Sequence, residues 1–279
     1  MMISTAHRRL AGAAVVAVAL AVALTSAEAR QQPSDTQVYE RYRAWVSGPA
    51  TAGIRTEAEA LSAYRKVLAD EDVPAKEIDR RVRVISESGR RLEVERWNRI
   101  LTAPKPAFNV QPNAFLVRAT KGVRPGTALD YGMGQGRNAI YLAQQGWTVT
   151  GFDPAEQAVA AALEQARQLG VKLTTLTVGD DHFDFGKAQW DLIVLSYVSF
   201  RGTMPRIVES LKPGGLVVVE AFHRDSLKNG PIGGGVLYDT NELLKLFERF
   251  RVIVYEDVED KSDFGPGTNR VVRLLAQKP

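Results

Sequence analysis

The stretch ALDYGMGQGRNAIYLAQQGWTVTGFDP, residues 128–154, restricts the possible folds of this chain more than any other segment. A short apolar run ends in Asp130, glycines follow at 132, 134 and 136, and helical spacing takes over at 137–145. A second apolar run, 148–152, then ends in Asp153. The alternation continues downstream. Strands are predicted at 127–131, 148–152, 172–178, 191–195 and 216–221, with helices at 137–145, 155–169 and 204–211. Strands that are apolar throughout and separated by helices imply a parallel sheet covered on both faces. A helix at 241–247, opened by an Asp239-x-x-Glu242 capping box, leads to two further apolar runs, 251–258 and 270–277. Only the polar, glycine-rich 259–269 joins them, so these strands should pair antiparallel.

In an open parallel sheet a ligand sits beyond the carboxyl ends of the strands, so the turn after Tyr131 is the expected floor of a site. Gly132 and Gly134 reach backbone angles closed to other residues and leave no side chain between backbone and ligand. The bland alternative is a tight turn kept for chain geometry alone. The spacing narrows the ligand. A dinucleotide site uses G-x-G-x-x-G, whereas position 137 here is Arg and no Gly-Lys-Ser/Thr follows. This pattern fits a nucleoside without a phosphate chain. Asp153 is placed to accept from two ribose hydroxyls, or else to cap the helix that follows Pro154.

Residues 36–101 read as charged helices, with Val38, Tyr42 and Trp45 on one apolar face. Segment 76–100 carries Ile78, Val82, Ile85 and Leu92 at helical spacing. Its arginines at 80, 81, 83, 90, 91, 96 and 99 alternate with acids, which reads as a solvated face of i,i+4 ion pairs. A surface for phosphate or lipid head groups is the alternative. At the amino end His7, Arg8 and Arg9 precede the apolar run 10–24 and an A-x-A signal at 27–29. That pattern predicts a cleaved export signal over 1–29 and a periplasmic protein with no stable membrane insertion after cleavage. An uncleaved inner-membrane anchor is the alternative. The chain has 36 basic and 32 acidic residues, a balance that implies no nucleic-acid partner. It has no cysteine, which excludes disulfides, thiolate metal sites and a cysteine nucleophile.

Taken together, the D-x-G-x-G-x-G turn at 130–136, the acid at 153, VGDD at 178–181, WDLIVLSY at 190–197 and LKPGGLVVVE at 211–220 resemble the class I S-adenosylmethionine-dependent methyltransferases. GQGRNAIYLAQQGW is most similar to the tellurite-resistance and thiopurine methyltransferase branch. The resemblance spans 108–279, leaving 30–107 as a helical extension. It implies an α/β fold: a Rossmann-like, doubly wound, seven-stranded sheet, mostly parallel with an antiparallel C-terminal strand. It also implies S-adenosyl-L-methionine as cofactor and a small-molecule acceptor. The turn (Asp130, Tyr131, Gly132, Met133, Gly134, Gly136, with Asn138) would lie against the methionine part, and Asp153 with Pro154 would hold the ribose. Asp180 or Asp181 would meet the adenine amine, with Phe152 and His182 nearby. Ser196 and Tyr197 would stand beside the sulfonium, and Phe108, Asn109 and Asn113 would close over the cofactor.

Two departures limit the acceptor. The branch members active on tellurite carry a His-Arg pair between the last two strands, where this chain has Asp260-Lys261-Ser262. The Pro-Pro-aromatic signature of nucleobase and glutamine N-methylation is also missing, since Tyr197 precedes Val198-Ser199. For an acceptor that must lose a proton, His223, Tyr197 and His182 are the candidate bases, with His223 first. Arg201 either binds an anionic acceptor or covers a helix end. The composition of 228–238 predicts a mobile lid. A non-catalytic nucleoside-binding or envelope interaction protein on the same fold is the competing reading, since S-adenosylmethionine is made in the cytosol.

Overall fold

The computed structural model describes residues 32–279 apart from 49, 50, 52, 53, 55, 231, 233 and 266. The leader expected over 1–29 lies outside the described residues. Among those described, no helix is long and apolar enough to cross a membrane.

Three helices come first: α1 (Asp35–Val46), α2 (Glu57–Asp70) and α3 (Ala75–Leu101). Ser34 and Thr56 start the first two with complete capping boxes to Gln37 and Glu59. Tyr39, Tyr42, Tyr64, Leu68, Ile78, Ile85 and Leu92 close a small core between them. The arginines of α3 behave largely as a solvated, paired face. Arg80 and Arg81 share Glu77, Arg91 pairs with Glu95, and Arg96 and Arg99 reach Glu40.

After α4 (Ala114–Thr120) the chain alternates: β1 (Thr127–Tyr131), α5 (Arg137–Gln144), β2 (Thr148–Phe152), α6 (Glu156–Gln168), β3 (Thr174–Leu176), β4 (Trp190–Ser196), α7 (Met204–Ser210) and β5 (Leu211–His223). The rest is β6 (Leu237–Tyr238), α8 (Glu242–Leu246), β7 (Arg251–Lys261) and β8 (Thr268–Gln277). The sheet runs β3-β2-β1-β4-β5-β8-β7, with β8 antiparallel to both its neighbours. These are the seven strands expected. The two-residue β6, parallel to the end of β5, is an eighth that the glycine-rich composition of 228–238 concealed.

Alternation along the strands divides the core. Leu129 and Tyr131 face a cluster closed by Met204 and Ile207 of α7 and Leu243 and Phe247 beside α8. Ala128, Val149 and Leu192 face the other side, covered by Phe115 and Leu116 of α4 and Leu142 of α5. Burying both faces of the sheet excludes water from the strand ladders and leaves the carboxyl edge as the open end of the layer.

Candidate functional site

At the carboxyl edge, Gly132, Gly134 and Gly136 all take left-handed backbone angles, with φ of +66°, +53° and +78°. Each also faces a neighbour. A Cβ on Gly132 would lie 2.5 Å from Val198 Cγ1, and one on Gly136 would lie 2.8 Å from Ala162 Cβ. The turn is therefore tied to β4 and α6 as well as shaped for a ligand. Met133 N–H donates to the Phe152 carbonyl at 3.0 Å, which fastens the turn to the end of β2.

Asp153 is buried and grips this turn. Its Oδ2 accepts from Gly134 N–H at 3.0 Å and its Oδ1 from Ala155 N–H at 2.8 Å. Burial pushes its pKa up, and the two amides work against that rise. The residue thus caps the approach to α6 and braces the glycine turn, and its remaining lone pairs are those a ribose would use. Asp130 differs. It is fully buried, and among the described residues its Oδ2 has no hydrogen-bond partner. Burial raises its pKa to about 7, opposed by Arg137. An unpartnered carboxylate oxygen beneath a bare glycine backbone fits a ligand that brings a donor or a cation to that point.

On the side where the adenine was expected, the Tyr131 hydroxyl donates to Asp180 Oδ2 at 2.9 Å. Asp181 is paired with Arg90 of α3 and with His182 Nδ1 at 3.0 Å, and chiefly the Arg90 bond lowers its pKa to about 2. Phe152 is buried beneath Phe183, with ring centroids 4.1 Å apart, so it supports the site from below. His182 is exposed. The end of α3 covers the turn: a Cβ on Gly134 would lie 3.3 Å from Leu101. Asn98 of α3 accepts from Gln157 N–H at the start of α6.

The end of β4 opens onto a buried polar cluster. Tyr197, at φ +56°, donates its hydroxyl to Glu220 Oε1 at 2.8 Å and accepts from Asp263 N–H at 3.2 Å. Burial and the charges of Glu220 and Asp263 push that phenol far above its ordinary range. Glu220 also receives Asn113 Nδ2 at 2.7 Å and Arg273 Nε at 2.5 Å. Asp263, on the β7–β8 connection, forms an ion pair with Arg137 Nη2 at 2.7 Å and receives Asn113 Nδ2 at 2.7 Å and Asn109 Nδ2 at 2.8 Å. Arg137 Nη2 also stands 3.4 Å from Ser196 Oγ. Phe108 forms a β-bridge with Phe264 and stacks on it, centroids 5.3 Å apart, so segment 108–113 is fastened to the β7–β8 connection.

Several expected roles are changed by these contacts. Asn138 Oδ1 accepts from Asn113 N–H at 2.9 Å, so it anchors the strap instead of pointing at a ligand. His223 is buried with both ring nitrogens occupied. Nδ1 accepts from Asp225 N–H at 3.1 Å, which leaves Nε2 to donate to Thr240 Oγ1 at 3.0 Å. Neither nitrogen is free to take a proton from an acceptor. Arg201 donates to Glu242 at 2.6 Å and to the carbonyls of Gly235 and Leu237, with its guanidinium over the Tyr238 ring. It ties down 235–238, a role that neither the anion-binding nor the helix-end expectation described. The same segment is held by Asn229 to Asn269 and by Lys228 to Glu259, so much of the expected lid is anchored. Sequence reasoning gave no site role to Arg137, Glu220, Asp263 or Arg273.

Residues 128–215 match the family model described as a methyltransferase domain. Among curated proteins, the "Probable S-adenosyl-L-methionine-dependent methyltransferase TehB" of Haemophilus influenzae is 27% identical over 154 residues, covering 51% of this chain and 52% of the relative. The ribosomal RNA small subunit methyltransferase C of Alcanivorax borkumensis is 26% identical over 175 residues, covering 57% of this chain and 52% of the relative. The chain thus spans about half the length of the curated relatives it matches. Among solved structures, Haemophilus influenzae TehB superposes with a TM-score of 0.51 at 23% identity, over 60% of this chain and 62% of that one. NodS, an N-methyltransferase of Bradyrhizobium japonicum solved with S-adenosyl-l-homocysteine, gives 0.52 at 17% identity, over 67% and 98%. Sheet order, glycine turn and these matches agree: residues 128–215 form a methyltransferase domain, on a chain similar over about half its length to the S-adenosylmethionine-dependent methyltransferase TehB.

Proposed function

We propose that this protein transfers the methyl group of S-adenosylmethionine to a small-molecule acceptor. The observation that supports this best is the pair of carboxylates around the glycine turn: Asp153 braced on Gly134 and Ala155, and Asp130 with one oxygen unpartnered among the described residues. When bound, the cofactor supplies an electrophilic methyl on a positively charged sulfur, and transfer neutralises that charge. The chain's own residues then contribute mainly alignment, and held reactants gain up to roughly 7–11 kcal/mol from proximity. Gly132 and Gly134 let the backbone approach the ligand, Asp153 orients the sugar, and α3 with segment 108–113 keeps water out.

Of the three candidate bases, His223 has both nitrogens engaged, Tyr197 holds its proton toward Glu220, and His182 lies exposed beside Asp181, away from the end of β4. The acceptor this favours is nucleophilic without enzyme-assisted deprotonation, such as an amine or a preformed thiolate or oxyanion. A second reading, a nucleoside-binding protein without turnover, draws on the buried cluster that closes the end of β4. We also infer export from residues 7–29, which fractionation of a carboxyl-terminal alkaline phosphatase fusion tests directly.

Calorimetric titration of the chain starting at Arg30 with S-adenosylmethionine and S-adenosylhomocysteine tests the site, and formation of S-adenosylhomocysteine from S-adenosylmethionine in the presence of amine and thiol acceptors separates the readings. Micromolar binding of both, with Asp153→Ala weakening each at least about tenfold, together with that turnover supports the enzyme, and binding without turnover supports the second reading. Absence of binding, or an unaffected Asp153→Ala, rejects the enzyme.

A further inference from the structure

The Asp263 carboxylate sits where a ligand's carboxylate would. Two segments converge on it: Arg137 Nη2 pairs with it at 2.7 Å from the start of α5, and Asn113 Nδ2 at 2.7 Å and Asn109 Nδ2 at 2.8 Å donate from the strap 108–113. The Asn113 and Arg137 donors are fixed independently of their occupant. Asn113 caps α4 through Oδ1 and Leu116 N–H, and its own N–H is held by Asn138. Arg137 opens α5 directly after the glycine turn and donates a second time to the Gln111 carbonyl at 3.0 Å. The occupant, by contrast, is carried on a connection between strands in which Gly265 and Gly267 take left-handed angles. Asn113 and the Arg137 side chain are buried, so a departing Asp263 would leave Arg137 with only the Gln111 carbonyl and Ser196, and Asn113 Nδ2 with only Glu220, removing the guanidinium's paired charge away from water. Such groups demand a replacement anion. Glu220 shares Asn113 Nδ2, so its charge disfavours any replacement carrying more than one negative charge.

We propose that Arg137, Asn113 and Asn109 form a carboxylate-binding subsite of which Asp263 is the displaceable internal occupant, so that an entering ligand carboxylate releases the β7–β8 connection. The inference rests on reading the adjoining turn as a cofactor cleft. Two sources carry the required chemistry: the amino-acid end of the cofactor, next to Arg137, and a carboxylate on the acceptor, next to Ser196 and Tyr197. In either case binding exchanges one charge-assisted pair for another and frees the Asp263–Phe264 clasp from segment 108–113.

The test uses two variants of the chain starting at Arg30. In Asp263→Ala the subsite is vacated, and formate should raise the thermal midpoint saturably where chloride at equal ionic strength does not. Wild type should show no such difference. Asp263→Asn keeps the shape of the occupant and removes its charge, so it decides the matter if the alanine variant does not fold. If the cofactor supplies the carboxylate, Asp263→Asn binds S-adenosylhomocysteine roughly tenfold more tightly than wild type. 5′-Methylthioadenosine, which has the nucleoside but no amino-acid end, then binds both alike. If the acceptor supplies it, both nucleosides bind as in wild type, and acetate binds the variant's S-adenosylhomocysteine complex only. Equal gains for the two nucleosides overturn the proposal, because they report an opened entrance and nothing more. So does formate acting no differently from chloride on the alanine variant, or no change in any ligand with the asparagine variant. Should neither nucleoside bind any form, the methyltransferase reading fails, and the formate comparison still decides the subsite.

Discussion

Asp130 and Asp153 end the first two strands of the sheet and differ in what holds them. Asp153 has a backbone amide on each oxygen, while Asp130 is buried with one oxygen unpartnered among the described residues and its pKa near 7. For Asp130 the folded value lies above the unfolded one, so the native state binds the extra proton. That contribution to stability is fully present below the unfolded pKa and is lost as pH rises toward about 7. Between pH 5.5 and 8.5 wild type should therefore lose about 2 kcal/mol that Asp130→Asn does not lose, as read by urea melts at both pH values. Arg137 and Asp153 are the charges that act on it, with opposite signs. The buried pair Glu220 and Arg273 was half legible. Each is a charge inside an apolar run, LVVVEAF and RVVRLLAQ, and the β5–β8 register sets them opposite one another. Seeing them as partners requires that register, which neither run reveals alone. His223 was illegible for a different reason: its fate is decided by Thr240 and a backbone amide two residues on, and a loop histidine gives no sign of either.

At the scale of elements the glycine turn is a joint among three of them. Gly136 combines φ +78° with an approach of 2.8 Å to the α6 residue Ala162. Gly136→Ala should cost about 2–4 kcal/mol in stability, from the left-handed angle and the overpacking together. The measured drop in denaturation midpoint checks it. Strand and helix positions here were readable from periodicity, and β1 and β2 match their predicted bounds. Segment 228–238 was not, because composition reports only local freedom. What restrains it is supplied from far away in sequence: Arg201 on the carbonyls of Gly235 and Leu237, and Asn229 on Asn269. The strap 108–113 was expected to close over the cofactor, but its partner, the β7–β8 connection, was not anticipated. Polar, glycine-rich residues look like solvent-exposed loop until Asp263 is found buried among Arg137, Asn109 and Asn113.

Across the whole molecule, the helical extension and the sheet form one enclosure. α3 touches Asp181 through Arg90, approaches Gly134 through Leu101 and meets Phe264 through Trp97, with centroids 6.2 Å apart. Two arginines on the same helix then separate covering from surface decoration. Arg90→Ala should speed S-adenosylhomocysteine dissociation about twofold to fivefold, whereas Arg91→Ala, whose partner Glu95 lies on the same helix, should leave it unchanged. Stopped-flow displacement measures both.

The antiparallel β8 has one more consequence, for how the molecule is made. It lies between β5 and β7, both of which precede it in the chain, and it is the strand on which β7 is laddered. While the ribosome has yet to deliver residues 268–277, β5 presents a bare edge and β7 has nothing to zip against. The chain truncated after residue 262 should accordingly be cut by protease within 251–261, and restoring residues 263–279 should abolish that cleavage.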